Sequence, residues 1–160
     1  VAKRLLQHER SGLASLASAD QAGPLQRIKP SIALAQLAKH YANSSEINDL
    51  VLRDEIICNE MRKQAFTLTQ ARAVAESEAN TPGATTSIFN YIEAEYVKEQ
   101  LELQNRIRGT QAFGWEGDSF TDEEISMCRL NLEAKSISIA GGSSEIQLNI
   151  IAKRVLGLPD

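Results

Sequence analysis

Residues 44–83 read SSEINDLVLRDEIICNEMRKQAFTLTQARAVAESEANTPG, and this stretch decides the fold. Ile47, Leu50, Val51, Ile57, Cys58, Met61, Ala65, Leu68, Arg72 and Ala75 recur at three- and four-residue steps, which sets most of them on one helical face. Ser44 and Ser45 offer hydroxyls to cap the first turn. Pro82-Gly83 blocks continuation, so the spacing predicts one long helix ending near Asn80.

The same period continues on both sides. From about Ala84 to Gln111, the residues Ile88, Ile92, Tyr96, Leu103 and Ile107 predict a second long helix with an outer face rich in Glu, Lys and Arg. Upstream, Pro30 fits a first helical turn, and Ile32, Leu34, Leu37 and Tyr41 carry a shorter helix toward Asn43. Further upstream, Val1, Leu5, Leu6, Leu13 and Leu16 form the stripe of a helix over Val1–Ala19, which stops ahead of Gly23-Pro24. Its first residues are already in helical register with no capping residue before them. We therefore expect residues 1–160 to be a domain of a longer chain.

Downstream, the two glycines in Phe113-Gly-Trp-Glu-Gly-Asp-Ser-Phe120 break the pattern, and Thr121-Asp-Glu-Glu124 restarts it as a capping box. A fourth core helix is predicted to about Ala140. Gly141-Gly142 permits backbone angles closed to other residues. Ser144 and Gln147 suggest another capping box, opening a last helix over Glu145–Leu156 that stops at Gly157. Long helices on short loops, with no strand run and no repeat, predict an all-α, antiparallel four-helix bundle.

Composition supports helix and narrows function. Ala, Leu, Ile, Glu, Gln and Arg dominate over aromatics, and these lose little rotamer freedom in a helix. A net charge of −4 without a Lys/Arg run argues against nucleic acid or anionic lipid as partner. No apolar run approaches the roughly 20 residues of a membrane span, and no signal-peptide pattern opens the chain. Cys58 and Cys128 have no nearby thiol or imidazole in the sequence, so they read as reduced, buried hydrophobes of a cytoplasmic protein, with no metal. Neither His8 nor His40 has a Glu three residues before it, which excludes a di-iron bundle. Phosphate-loop, Rossmann and Ser/His/Asp motifs are absent as well.

The stretch Ile139-Ala-Gly-Gly-Ser-Ser-Glu-Ile-Gln-Leu-Asn-Ile-Ile-Ala-Lys-Arg-Val-Leu-Gly-Leu-Pro159 is similar to the C-terminal signature of bacterial acyl-CoA dehydrogenases. Leu5-Leu-Gln-His-Glu-Arg10 and the order of helices between also resemble that family's C-terminal bundle. The resemblance implies a subunit of three domains, with an N-terminal helical domain and a middle β-domain before this one. It further implies FAD held between subunits of a homo- or hetero-oligomer, an acyl-CoA substrate, and an electron-transfer flavoprotein as acceptor. In such enzymes a carboxylate removes the α-proton of the thioester while the β-hydrogen leaves as hydride to the flavin.

Many family members carry that carboxylate in a Tyr-Glu-Gly-Thr motif before the last helix, where this chain has Gly141. A glycine accepts no proton. A subset resembling isovaleryl-CoA and long-chain dehydrogenases supplies the base from the first bundle helix, in a Glu-Arg pair that aligns with Glu9-Arg10. Helical phase points to Glu9 independently, because it lies three residues from Leu6 and four from Leu5 and Leu13, on the apolar stripe. Burial there raises a carboxyl pKa and sharpens it as a base. The alternative is a structural carboxylate paired with Arg72.

Ser143, Ser144 and Glu145 resemble the family's flavin-contacting turn. The sequence departs from the family where an Arg-x-x-Phe-Gly segment usually follows the first helix; only Arg27 stands nearby. Leu148 stands where an Arg is common, and Asn90 where a Lys is common. Two readings follow: part of a dehydrogenase that oxidises acyl-CoA, or a partner subunit of a mixed complex without its own complete site. A relative that uses flavin for oxygen chemistry is a third.

Overall fold

The structure, a computed structural model, describes residues 33–78, 88–139 and 142–159. The helix expected over Val1–Ala19 and the residues Glu9, Arg27 and Gly141 lie outside them. All regular structure among the described residues is helical.

The first described helix, α1 (Leu34–Tyr41), buries Leu34, Leu37 and Ala38 on one side. Asn43 then takes a φ of 48°, the left-handed region that Asn tolerates better than most side chains, and the chain turns. The long helix α2 (Leu50–Glu78) starts at Asp49, whose Oδ1 accepts the amides of Val51 at 2.9 Å and Leu52 at 3.0 Å. The serines expected to cap it do not. Ser44 Oγ accepts the Glu46 amide at 3.1 Å and shapes the preceding turn, leaving the carboxylate next to the first helical residue to cap it.

The buried face of α2 also differs from the expected stripe. Ile56, Asn59 and Ala73 are buried, whereas Leu50, Val51, Met61 and Leu68 are 61–71% exposed. Ile56 and Ile57 are adjacent in sequence and about 100° apart around the axis, so either one satisfies a helical period. Ion pairs across to the next helix select Ile56. That helix, α3 (Phe89–Arg108), pairs Arg106 with Glu55 and Arg62 with Glu99, and Phe89 meets Phe66 edge-on at 5.7 Å between ring centres. As one residue number rises along these pairs the other falls, so α2 and α3 run antiparallel.

Gly109, at φ 58°, ends α3, and a 3-10 turn over Gly109–Phe113 follows. At Gly114 a Cβ would run into the ring of Phe120, which explains a glycine in this connection. The predicted capping box then holds: Thr121 Oγ1 accepts the Glu124 amide at 3.2 Å, and the Thr121 amide donates to Glu124 Oε2 at 2.8 Å. It opens α4 (Asp122–Ala134), which tightens into a 3-10 turn over Lys135–Ser138 several residues before the expected end. The Glu102–Lys135 and Arg108–Glu123 pairs show that α4 is antiparallel to α3.

Helix α3 is therefore the centre of the described part. On one side Leu103 packs with Ile56, Leu34 and Ala38; on the other, Ala94, Val97 and Leu101 pack with Ala134 and Ile137. Between these apolar clusters runs a buried polar seam of Gln100, Gln104 and Arg108 at four-residue spacing. The Arg108 guanidinium donates to Gln104 Oε1 at 3.1 Å and Glu123 Oε1 at 3.2 Å, and lies 5.8 Å from the ring centre of Tyr41. Tyr41 Oη in turn donates to Glu124 Oε1 at 2.8 Å, which ties α1 to the start of α4.

Glu124 makes this junction sensitive to pH. The Thr121 amide first, then the Tyr41 hydroxyl, hold its carboxyl below the usual carboxylate range. A depressed folded-state pKa contributes stability that is complete above the unfolded-state value and lost as pH falls through the folded one. Acid should thus loosen the α1–α4 junction, and Glu124→Gln should flatten the acid limb of a Tm-against-pH curve. An unchanged acid limb in that variant would assign the loss to other carboxylates.

Candidate functional site

The last helix, α5 (Ser144–Ile150), continues into a π-helical turn over Ile151–Val155 and ends where Gly157 takes a φ of 65°. Its entry is built by Gly142. At φ 113° this residue bends the chain, and a Cβ there would stand 2.9 Å from Nε2 of the buried Gln147. Glycine is needed for both reasons.

The cap comes one residue earlier than the sequence suggested. Ser143, with an extended backbone, accepts the Ile146 amide on Oγ at 3.5 Å, while its carbonyl takes the Gln147 amide at 3.0 Å. Ser144 is consequently the first helical residue, and its hydroxyl turns to α3, where it donates to Glu95 Oε1 at 3.3 Å. The same Glu95 oxygen receives Lys98 Nζ at 2.8 Å. Glu145 is exposed; the Ser143 hydroxyl first, then its own amide and the Lys98 charge, hold its carboxyl below the usual range. The structure therefore brings Ser143, Ser144 and Glu145 together in one turn, with Glu95 and Lys98 behind it. Sequence reasoning missed those two, although a Glu and a Lys three apart on a helix is a pairing signal.

Beyond the turn, Ile146, Asn149, Ile150, Lys153 and Arg154 line an open groove along the last helical segment. Leu148, where the family commonly has Arg, is 45% exposed. On α3, burial raises the pKa of the Glu93 carboxyl, while burial and the charges of Glu60 and Glu99 push the Tyr96 hydroxyl up to about 12. Arg72, the alternative partner considered for Glu9, pairs with Glu76 at 2.7 Å on the exposed side of α2. Among the described residues no cluster of three His, Cys, Asp or Glu is placed to hold a metal ion, and no helix is long and apolar enough to cross a membrane.

Residues 1–156 match the family model described as acyl-CoA dehydrogenase, C-terminal domain. The chain belongs to the acyl-CoA dehydrogenase family. It is 31% identical over 133 residues to a curated relative, acyl-CoA dehydrogenase IpdE1 of Mycolicibacterium smegmatis, a match covering 79% of this chain. The chain spans about a third of that acyl-CoA dehydrogenase, 33% of its length. No solved structure matches it.

The Gly142–Glu145 turn fits one edge of a flavin site. The first amides of a helix have no carbonyl within it to bind. At α5 the Ser143 cap takes the Ile146 amide, and the Ser144 hydroxyl is turned away to Glu95, so the turn presents main-chain donors on a fixed frame. Such donors suit the polar rim of an isoalloxazine ring.

Proposed function

We propose that this chain is the C-terminal helical domain of an FAD-dependent acyl-CoA dehydrogenase subunit, preceded by a helical and a β-domain, that forms the α,β double bond of an acyl-CoA thioester. The observation that carries this reading is the family match across residues 1–156, whose last part contains the turn with flavin-facing geometry.

In this reading Glu9 is the base. Its carboxylate takes the α-proton, and the electron pair left on the α-carbon forms the new double bond as the β-hydrogen departs with its own pair. FAD, when bound, accepts that hydride. Ser143, Ser144 and Glu145 hold the edge of the ring, so that the acceptor and Glu9 flank the substrate from opposite faces. Residues 1–160 alone lack the β-domain donors, and should bind FAD weakly and turn over no substrate. The same reading places the protein in the cytoplasm as a homo- or hetero-oligomer that delivers electrons to an electron-transfer flavoprotein.

Gly141 in place of the commoner Glu, and the apolar Leu148 on the surface of α5, support a second reading. There the chain is a partner subunit of a mixed complex whose base and much of whose flavin site lie in another chain. The test is product analysis with the intact protein, a saturated acyl-CoA and an artificial electron acceptor. The dehydrogenase reading expects a 2-enoyl-CoA lacking two hydrogens. Unchanged substrate, with product appearing only when a second chain type is added, favours the partner reading.

A further inference from the structure

The α5 segment is lightly attached to the rest of the described fold. Ile146 and Leu148 are 51% and 45% exposed, so apolar packing contributes little to holding its start. The printed side-chain bond that crosses from this turn to the bundle is Ser144 Oγ to Glu95 Oε1. Ser144 is free to make it because Ser143 caps the helix. Glu95 is itself held: Lys98, one turn along α3 and 21% exposed, pairs with the same oxygen. A carboxylate fixed by its own helix thus receives a hydroxyl from the turn.

We propose that Glu95, steadied by Lys98, is a positioning residue that fixes the Ser143-Ser144-Glu145 turn through the Ser144 hydroxyl and so sets where its main-chain donors meet the flavin. The proposal rests on the reading that this turn faces FAD. The contact acts on the orientation of the donors and not on the reaction itself: Glu95 touches Ser144 and Lys98, and no proton of the substrate passes through it. A partly buried carboxylate suits the task, because a charge-assisted acceptor holds a hydroxyl more strongly than a neutral one, and Lys98 keeps the carboxylate in one place. Small shifts of a preorganised donor weaken what it binds, whereas the stability of the bundle depends mainly on the clusters around Leu101 and Leu103.

The experiment is FAD titration of the intact apoprotein carrying wild-type, Glu95→Ala, Glu95→Gln, Ser144→Ala, the Glu95→Ala/Ser144→Ala pair, and Ser143→Ala. It reads FAD Kd, the shape of the flavin absorption bands, and Tm. We expect Glu95→Ala and Ser144→Ala each to weaken FAD about 10-fold and to shift the bands. The pair should be no worse than either alone, because both remove one contact. Glu95→Gln should recover most of the affinity, since its amide oxygen still accepts from Ser144.

A fall in Tm with wild-type Kd and bands in Glu95→Ala, while Ser144→Ala alters them, makes Glu95 structural only and overturns the proposal. If Ser143→Ala and Ser144→Ala both leave Kd and bands unchanged, the turn does not meet the flavin, and the reading beneath the proposal falls with it. Should Glu95→Ala not fold, Lys98→Met approaches the same contact from its other side: weakened FAD with shifted bands supports the proposal, and wild-type values overturn it.

Discussion

Glu9→Gln in the intact protein is expected to slow flavin reduction by at least about 10²-fold while leaving acyl-CoA binding nearly unchanged, the usual scale for losing a general base. Glutamine keeps the size and the hydrogen-bonding atoms of the side chain and removes the proton acceptor. The split between rate and binding matters more than the size of the fall, because loss of a structural carboxylate would disturb both. A base is needed because the α-hydrogen must leave as a proton while the β-hydrogen leaves with its electrons, and Gly141 offers no acceptor at the commoner position. Returning Glu at position 141 in the Glu9→Gln background should restore part of the rate if both positions serve the same face of the substrate. Stopped-flow reduction at the wild-type rate in Glu9→Gln would place the base elsewhere.

Leu101→Ala should cost about 2–5 kcal/mol of stability, the range for deleting a buried aliphatic side chain whose surroundings cannot fully collapse. Leu101 is 0% exposed and packs with Val97, Ala134 and Ile137, where α3 meets the end of α4. The neighbours at this junction are small or fixed by helical backbone, so little moves in to fill the space. Urea unfolding of the 160-residue chain, followed by helical circular dichroism, should show a lower midpoint at nearly unchanged slope. A loss below about 1 kcal/mol would mean that the site collapses, or that this cluster is not the core.

Helical identity was legible in the sequence because the period is local: Thr121-Asp-Glu-Glu124, Leu34 with Leu37, and the glycines at 109, 142 and 157 each fix their own turn. Which face of a helix is buried was less so. On α2, Ile56 and Ile57 fit a helical period equally well, and the decision came from Arg62 and Arg106, whose partners lie 37 and 51 residues away. The polar seam of Gln100, Gln104 and Arg108 was invisible for a related reason: its residues read as solvated, and only Tyr41 and Glu123 from other helices make their burial tolerable.

At the candidate site, the signature around Gly142 located the turn, but the choice between Ser143 and Ser144 as cap depended on Glu95, which a linear pattern does not bring near. Glu9, placed by helical phase and resemblance, lies outside the described residues.

Anaerobic mixing of the intact, FAD-loaded protein with a saturated acyl-CoA tests the central claim most directly. The expected result is loss of the visible flavin bands at a rate that saturates with substrate, followed by their return when an electron-transfer flavoprotein is added. Flavin bands that persist under saturating straight- and branched-chain acyl-CoA would contradict the account.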